Sequence, residues 1–130
     1  MHLTSQHLSA HVQDCIDVCT DCHNICKEVL FQHCLEVGGR NLNQRHVNLM
    51  VDCIELCQLA TSLLLRGSKG AADICALCAD ACENCATSCE DLRDEETLRC
   101  AEICRSCADM CRDMSDLPGS GEREGAEVAA

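Results

Sequence analysis

The sequence predicts an all-α protein, an antiparallel up-down-up-down four-helix bundle whose cysteines face inward. The first observation is that the cysteines recur at alternating intervals of three and four residues. A helix turns once every ~3.6 residues, so residues with this spacing share one face of a helix. The second observation is that short glycine-containing or polar segments separate the cysteine-bearing stretches. Such short connections make consecutive helices antiparallel neighbours.

Fifteen of the sixteen cysteines belong to four groups with this spacing, and only Cys34 stands apart. The groups are Cys15, Cys19, Cys22 and Cys26; Cys53 and Cys57; Cys75, Cys78, Cys82, Cys85 and Cys89; and Cys100, Cys104, Cys107 and Cys111. Gaps of three and four are those of the a and d positions, which face the centre of a bundle. The predicted core is therefore lined with thiols where leucine and isoleucine are usual.

The first helix is predicted from about Thr4 or Ser5, which are plausible N-caps, to Val37, where Gly38 and Gly39 follow. The second is predicted from an N-cap near Asn41 to just before residues 66–70, "RGSKG".

The third helix is predicted over residues 71–92. The fourth opens at Asp94, with Glu95 and Glu96 near the positive end of the helix dipole, and closes before Pro118. Residues 1–115 then form a single domain. Residues 116–130 are rich in glycine and charge and are expected to be a disordered tail.

Composition and charge exclude several classes of function. The net charge of −12 argues against nucleic-acid binding, which needs clustered lysine and arginine. The single aromatic residue, Phe31, leaves no platform for base stacking. The sequence contains no Ser-His-Asp pattern, phosphate-binding loop or paired catalytic carboxylates, so we expect a protein that is not an enzyme.

The cysteines are expected to be reduced thiols in a cytoplasmic protein. The N-terminal stretch "MHLTSQHLSAHVQDC" lacks the basic and apolar regions of a secretion signal. No stretch is expected to cross a membrane, since "LATSLLLRG" falls well short of the about 18 apolar residues required. Cytosolic thiols stay reduced, and cysteines three or four apart on one helix form disulfides only with strain.

A core of sixteen cysteines is hard to explain by packing alone. A buried free cysteine acts as a small hydrophobic residue, and one or two need no special reason. Cysteine is smaller than leucine, however, so a core built of it would be underfilled and would lose stability. The pattern indicates that the core leaves room for bound metal.

Thiolate arrays select soft ions, namely Cu(I), Zn(II) or iron–sulfur clusters. Iron–sulfur ligands usually come from loops, and structural zinc sites from knuckles that close a tetrahedron of four ligands. These cysteines lie within continuous helices instead, which favours Cu(I), and one Cu(I) per thiolate would keep the core near neutral. A zinc or mixed-metal buffer remains an alternative. A Cys-x-x-Cys thiol redox protein is a further one, although such thiols are usually exposed at a helix N-terminus.

The repeated Cys-x-x-x-Cys-x-x-Cys-x-x-x-Cys stripes resemble those of the bacterial copper storage proteins, in their cytosolic branch. The resemblance covers about residues 5–115 and implies a four-helix bundle that holds many Cu(I) ions and packs as a homotetramer. The twin-arginine signal and Met-rich bundle mouth of exported members are not seen here. The second helix independently favours oligomers, since its apolar residues spread beyond the core stripe. These residues are Leu49, Val51, Ile54, Leu56, Leu59, Leu63 and Leu65.

The predicted metal ligands are the sixteen cysteines together with His33 and His46. His33 lies seven residues after Cys26 and His46 seven before Cys53, so both are expected on the cysteine stripe. Both fall at the bundle end near Cys34, which is the predicted end for copper loading, or else they are ordinary partly buried histidines.

The remaining histidines and methionines are weaker candidates. His7, His11 and Met114 are expected together at the opposite end of the bundle. Met50 and Met110 are expected to be packing residues at the stripe edges, and His23 and Cys34 to lie off its centre.

Overall fold

The computed structural model describes residues 2–117, with side chains described from residue 9 onward. Four helices, numbered α1 to α4, form the predicted antiparallel four-helix bundle, in which each helix packs against two neighbours. Helix α1 is continuous but changes type along its length, and a short 3₁₀ turn follows it. The bounds are α1 over His2–Glu28, Val29–Cys34 and Leu35–Val37, the 3₁₀ turn over Gly39–Leu42, α2 over Gln44–Arg66, α3 over Ala71–Leu92 and α4 over Glu95–Ser115.

The first helix begins earlier than predicted and contains an irregular turn. It starts at His2, so Thr4 and Ser5 lie inside the helix and the expected caps there are wrong. Residues Val29–Cys34 are π-helical, with regular α-helix before and after them. The predicted end at Val37 is confirmed, because Gly38 follows with a φ of +69°, which favours glycine.

The second helix is capped by Asn43 and not by Asn41. The chain first closes the 3₁₀ turn Gly39–Leu42, in which the Asn43 amide donates to the Arg40 carbonyl. The Asn43 side chain then accepts hydrogen bonds from the backbone amides of Arg45 and His46 at 3.0 and 3.4 Å. Because of this extra turn, α2 starts at Gln44, three residues after Asn41. The Asn41 side chain is buried and does not cap the helix.

The third and fourth helices follow the predicted bounds. Gly67, with a φ of +65°, ends α2, and α3 starts at Ala71 as expected. Asp94 caps α4 by accepting from the Thr97 amide at 2.8 Å. Pro118 and most of the expected disordered tail, residues 118–130, lie outside the described residues.

The core consists largely of cysteine and alanine. All sixteen cysteines are buried with no exposed surface, which confirms the inward orientation predicted from their spacing. Alanines seven residues apart are also buried on α3, at positions 79 and 86, and on α4, at 101 and 108. Larger apolar side chains, among them Met50, Val29 and Leu64, fill the remainder of the core.

Helix α2 is long and apolar enough to cross a membrane, judged by length and composition alone, and no other helix of the described part of the chain is. The expectation that no stretch approaches this limit is therefore wrong for Gln44–Arg66. In the bundle, seven residues of this helix, including Cys53 and Cys57, are buried against the other helices. Core packing thus accounts for part of its apolar character.

Ion pairs join the outer faces of the bundle. Arg105 of α4 contacts Glu90 of α3 at 2.7 Å, and Arg112 contacts Glu83 at 2.8 Å. Arg99 of α4 reaches Glu28 of α1 at 2.9 Å. Exposed pairs of this kind contribute little stability each, about 0–1 kcal/mol.

Candidate metal centre

The cysteine side chains of the four helices meet along the bundle axis as a continuous column of sulfur atoms. Neighbouring Sγ atoms lie 3.2–4.0 Å apart, from the Cys26–Cys100 pair to the Cys107–Cys111 pair. Most of these contacts join different helices, for example Cys53 to Cys82 at 3.5 Å and Cys19 to Cys111 at 3.6 Å. Every cysteine is a free thiol.

Within the column, the sulfur atoms form compact groups whose members all lie within 4.8 Å of one another. Each group combines residues from three or four helices. The groups are Cys15, Cys75 and Cys111; Cys19, Cys78, Cys107 and Cys111; Cys22, Cys57, Cys82 and Cys107; Cys22, Cys26, Cys53 and Cys104; and Cys26, Cys85, Cys100 and Cys104.

The groups overlap, since each shares at least one sulfur with another. Cys107 and Cys111 belong to two groups each, as do Cys22, Cys26 and Cys104. If every ion needed its own set of four thiolates, at most two of the four-sulfur groups could be filled at once without sharing a residue. The arrangement suits ions that share bridging thiolates better than it suits separate tetrahedral sites.

The sulfur spacing also suits bridging by one soft ion. Metal–thiolate bonds are about 2.3 Å long, taking zinc as the guide. Two such bonds span the observed 3.2–4.0 Å with an angle at the metal of roughly 90–120°. The column could therefore accept ions between neighbouring sulfurs with little movement of the helices.

The π-helical turn of α1 decides which side chains reach the end of the column at Cys34, which we call the upper end. A π-helix bonds residue i to i+5, so it holds one more residue per turn than an α-helix. Cys34, eight residues after Cys26, therefore takes the inward position that a regular helix would give to the seventh residue. The expectations that Cys34 lies off centre and that His33 lies on the stripe are both wrong. Cys34 is fully buried, whereas the His33 side chain is 24% exposed and its Nε2 lies 3.0 Å from Asp94.

His46 stands at the end of the column, as its spacing from Cys53 predicts. Its side chain is buried, with Nε2 3.9 Å from Cys34 Sγ and Nδ1 2.8 Å from the Ser88 hydroxyl. Burial lowers the pKa of the imidazole, which favours the neutral form that ligates metals. The buried Asn41 amide also donates to Cys34 Sγ at 3.8 Å. The sequence analysis placed neither Asn41 nor Ser88 at the metal site, because neither follows the cysteine spacing.

Asp94 joins three segments beside this end of the column. Its carboxylate faces His33 of α1, accepts from Asn41 of the 3₁₀ turn at 2.9 Å, and accepts from the amide and hydroxyl of Thr97. Partial burial by itself would raise the pKa of this carboxyl. The donors from Asn41, Thr97 and His33 outweigh that effect and hold the pKa well below its usual range.

The opposite end of the column carries the three-sulfur group of Cys15, Cys75 and Cys111. Met114 is buried there as part of the same core cluster, with Met110 packed at its edge. The side chain of His7 lies outside the described residues, so its expected place at this end stays a prediction. His11 is half-buried.

Two other candidates from the sequence have structural roles. His23 lies at the edge of the stripe, as predicted, and its Nδ1 is 2.9 Å from the Ile54 carbonyl of α2. This bond joins α1 to α2. Met50 is fully buried and packs within the core cluster.

Two thiols at the upper end, those of Cys34 and Cys89, have raised pKa values. Burial raises the pKa of the Cys34 thiol. Contacts from Cys100 and Cys85, together with burial, raise the pKa of Cys89. A thiolate without a positive partner would be costly in such an environment, so ionisation of these thiols requires a bound cation.

A family model described as "Csp: Copper storage protein" matches residues 8–116. The chain belongs to the copper storage protein family. Among solved structures, it is similar to the Cu(I)-bound copper storage protein BsCsp3, with 33% identity and a TM-score of 0.76 over 81% of this chain and 98% of that one. Apo copper storage protein 3 from Bacillus subtilis shares 35% identity, with a TM-score of 0.72 over 79% of this chain and 97% of that one.

Two further proteins are also similar to this chain. A protein from Nitrosospira multiformis shares 37% identity, with a TM-score of 0.78 over 82% of this chain and 96% of that one. An uncharacterized cysteine-rich protein from Bacillus subtilis is 33% identical over 72 residues, which make up 55% of this chain and 66% of that relative. The match therefore spans just under two thirds of that curated relative's length.

Proposed function

We propose that this chain stores many Cu(I) ions along the sulfur column of its bundle. The observation that carries the proposal is the overlap of the buried thiol groups, in which single sulfurs belong to two groups. Membership of the copper storage protein family supports it, as does the similarity to a Cu(I)-bound relative.

The proposed ligands are the sixteen cysteine thiolates, with the imidazole of His46 as a nitrogen donor at the upper end. His33 is left out of this set, because its ring faces Asp94 outside the column. Each Cu(I) replaces one thiol proton, so a core with one ion per thiolate carries no net charge and avoids the cost of buried charge.

A zinc buffer is the second candidate, and the same geometry limits it. Zinc prefers four ligands of its own, and the overlapping groups supply at most two such sets without sharing. Thiol redox chemistry is less well supported, because it needs an accessible thiolate and every cysteine here is buried. We accordingly propose a binding role without catalysis.

The test is an anaerobic titration of the reduced protein with Cu(I), in competition with a chromogenic chelator of known affinity, and a parallel titration with Zn(II). We expect tight binding of about as many Cu(I) ions as there are thiols, and no more than about two or three zinc ions. The copper proposal fails if the binding of Cu(I) saturates at four or fewer ions per chain.

Two variants on α4, one in the sulfur column and one outside it, test whether the cysteines bind the copper. Cys104 belongs to two sulfur groups, so Cys104→Ser is expected to lower the Cu(I) capacity by more than one ion. Ser106 is exposed on the same helix, and Ser106→Ala is expected to bind as many ions as the unmodified chain.

We also propose that the protein works in the cytoplasm as a homotetramer. Free thiols in this number are typical of a reducing compartment. Helix α2 presents apolar side chains outside the core, with Leu59 42% and Leu65 67% exposed, and a second copy of this helix would cover them. Sedimentation analysis of the protein and of Leu59→Asp tests the assembly, since the charged residue is expected to release monomers.

A further inference from the structure

A pocket of about 220 Å³ opens at the upper end of the bundle, where the turn between α1 and α2 approaches the end of α3. Its lining includes Arg40, Asn43, Arg45, His46, Ser88 and Asp91. The pocket thus brings together two arginines and the buried histidine that ends the sulfur column.

The two arginines differ from the three arginines of α4 that lie within helix Glu95–Ser115. Arg99, Arg105 and Arg112 each contact at least one carboxylate. Within the described part of the chain, Arg45 makes no side-chain hydrogen bond or ion pair. Arg40 donates to the backbone carbonyl of Asp91 at 3.1 Å and pairs with no carboxylate of the described residues.

The charge of the pocket is opposite to that of the molecule. Its lining contains two arginines and one carboxylate, that of Asp91, whereas the whole chain has a net charge of −12. Two guanidinium groups beside one cavity favour a ligand that carries carboxylates, which arginine binds through paired hydrogen bonds.

His46 connects the pocket to the sulfur column. His46 is one of the residues that line the pocket, and its Nε2 lies 3.9 Å from Cys34 Sγ, the last thiol of α1. A molecule held by the arginines would therefore lie close to this end of the sulfur column, where His46 adjoins Cys34.

We propose that this pocket binds a small thiol that carries carboxylate groups and delivers Cu(I) to Cys34. The inference rests on the proposed function. The carboxylates contact Arg45 and Arg40, while the sulfur with its Cu(I) faces His46. A thiol is the expected carrier because Cu(I) prefers soft sulfur ligands.

Delivery is an exchange of ligands without any change in oxidation state. The Cu–S bond to Cys34 forms as the Cu–S bond to the carrier breaks. The proton of the Cys34 thiol passes to the departing carrier thiolate, which leaves as a neutral thiol. Copper remains Cu(I) throughout.

The first experiment measures binding without copper. Reduced, metal-free protein is titrated with S-methylglutathione, a carboxylate-bearing compound whose capped sulfur cannot exchange. We expect saturable binding that weakens about three- to fivefold in Arg45→Gln, the effect of one exposed ionic contact. Arg66→Gln is the matched control, because this residue is an exposed arginine at the other end of the same helix.

The second experiment compares loading rates. Cu(I) is supplied either as its glutathione complex or as its acetonitrile complex, which has no carboxylate. Arg45→Gln is expected to slow loading from glutathione about three- to fivefold and to leave loading from acetonitrile unchanged. Arg66→Gln is expected to change neither rate.

The outcomes separate this inference from the proposed function. Equal effects of Arg45→Gln on both copper sources, or no binding of S-methylglutathione, would overturn the carrier pocket while leaving storage intact. A protein that takes up no Cu(I) from either source would overturn storage, and the copper-free titration would still report on the pocket.

Discussion

At the scale of single residues, Asp94 has an unusually large structural role. One carboxylate caps α4 and also binds Asn41 of the 3₁₀ turn and His33 of α1. Asn41 and His33 flank the segments that hold Cys34 and His46, so this carboxylate positions the upper end of the sulfur column. These contacts all favour the charged form of the carboxyl, and they therefore lower its pKa.

Replacing Asp94 by asparagine is expected to destabilise the reduced, metal-free protein in a pH-dependent way. Asparagine can still cap the helix but lacks the charge, so the free energy of unfolding should fall by about 1–2 kcal/mol at pH 7. The pKa of Asp94 is lower in the folded state than the usual 3.8, so its charge stabilises the fold above that value. The stabilisation decreases progressively as the pH falls from that value toward the lower pKa of the folded state, so the difference between the two proteins should shrink.

Urea denaturation between about pH 3 and pH 7 measures this difference. Asp109→Asn, at an exposed position of the same helix, is the control and should change stability by less than about 0.5 kcal/mol. A difference between Asp94→Asn and the unmodified protein that stays constant with pH would contradict the role given to the charge.

At the scale of elements, the π-helical turn Val29–Cys34 sets the register of α1 at the mouth of the bundle. The turn holds one residue more than a regular helix would, and that residue moves Cys34 inward and His33 outward. π-turns of this kind often lie at functional sites. Here the consequence is chemical, since a sulfur atom and not an imidazole completes the column from this helix.

Deleting Gln32, an exposed residue of the π-turn, is expected to leave the fold intact. The shortened segment can become a regular helix in which the former Cys34 lies seven residues after Cys26 and still faces inward. Deleting Asn24, also exposed but in the regular part of α1, would rotate the cysteines on either side out of register. Urea denaturation should show a change within about 1 kcal/mol for the first deletion and a loss of more than about 3 kcal/mol for the second. Equal losses for both deletions would refute this account of the turn.

At the scale of the whole molecule, the core is a balance between room for ions and stability. Cysteine and alanine occupy positions where larger side chains would give more apolar burial. Burial raises the pKa of the Cys34 thiol, and a buried thiolate without a positive partner is costly, so the metal-free core is expected to hold neutral thiols. Loading then exchanges a proton for a copper ion of the same charge.

Copper loading is therefore expected to release about one proton for each Cu(I) bound. A pH-stat titration at pH 7 with acetonitrile-stabilised Cu(I) measures the ratio directly. Release of fewer than about half a proton per ion would mean that the thiols are already ionised in the metal-free protein, contrary to the effect of burial.

The sequence by itself determined the helices and the inward direction of fifteen cysteines. Both follow from the repeat of the α-helix, which is local, so the spacing within each segment was sufficient to predict them. The ends of α3 and α4 were predictable for the same reason, since their caps lie next to them in sequence.

Only the tertiary structure decided the rest. The burial of Cys34 and the outward turn of His33 depend on one irregular turn that spacing does not reveal. The α2 cap lies at Asn43 because a 3₁₀ turn precedes it, and in that turn the Asn41 side chain contacts Asp94, the N-cap of α4. Which sulfurs share a group depends on how the four helices are shifted relative to one another along the bundle axis. The arginine pocket forms only because the turn between α1 and α2 approaches the end of α3. These features arise from packing between segments distant in the chain, and no local pattern encodes that packing.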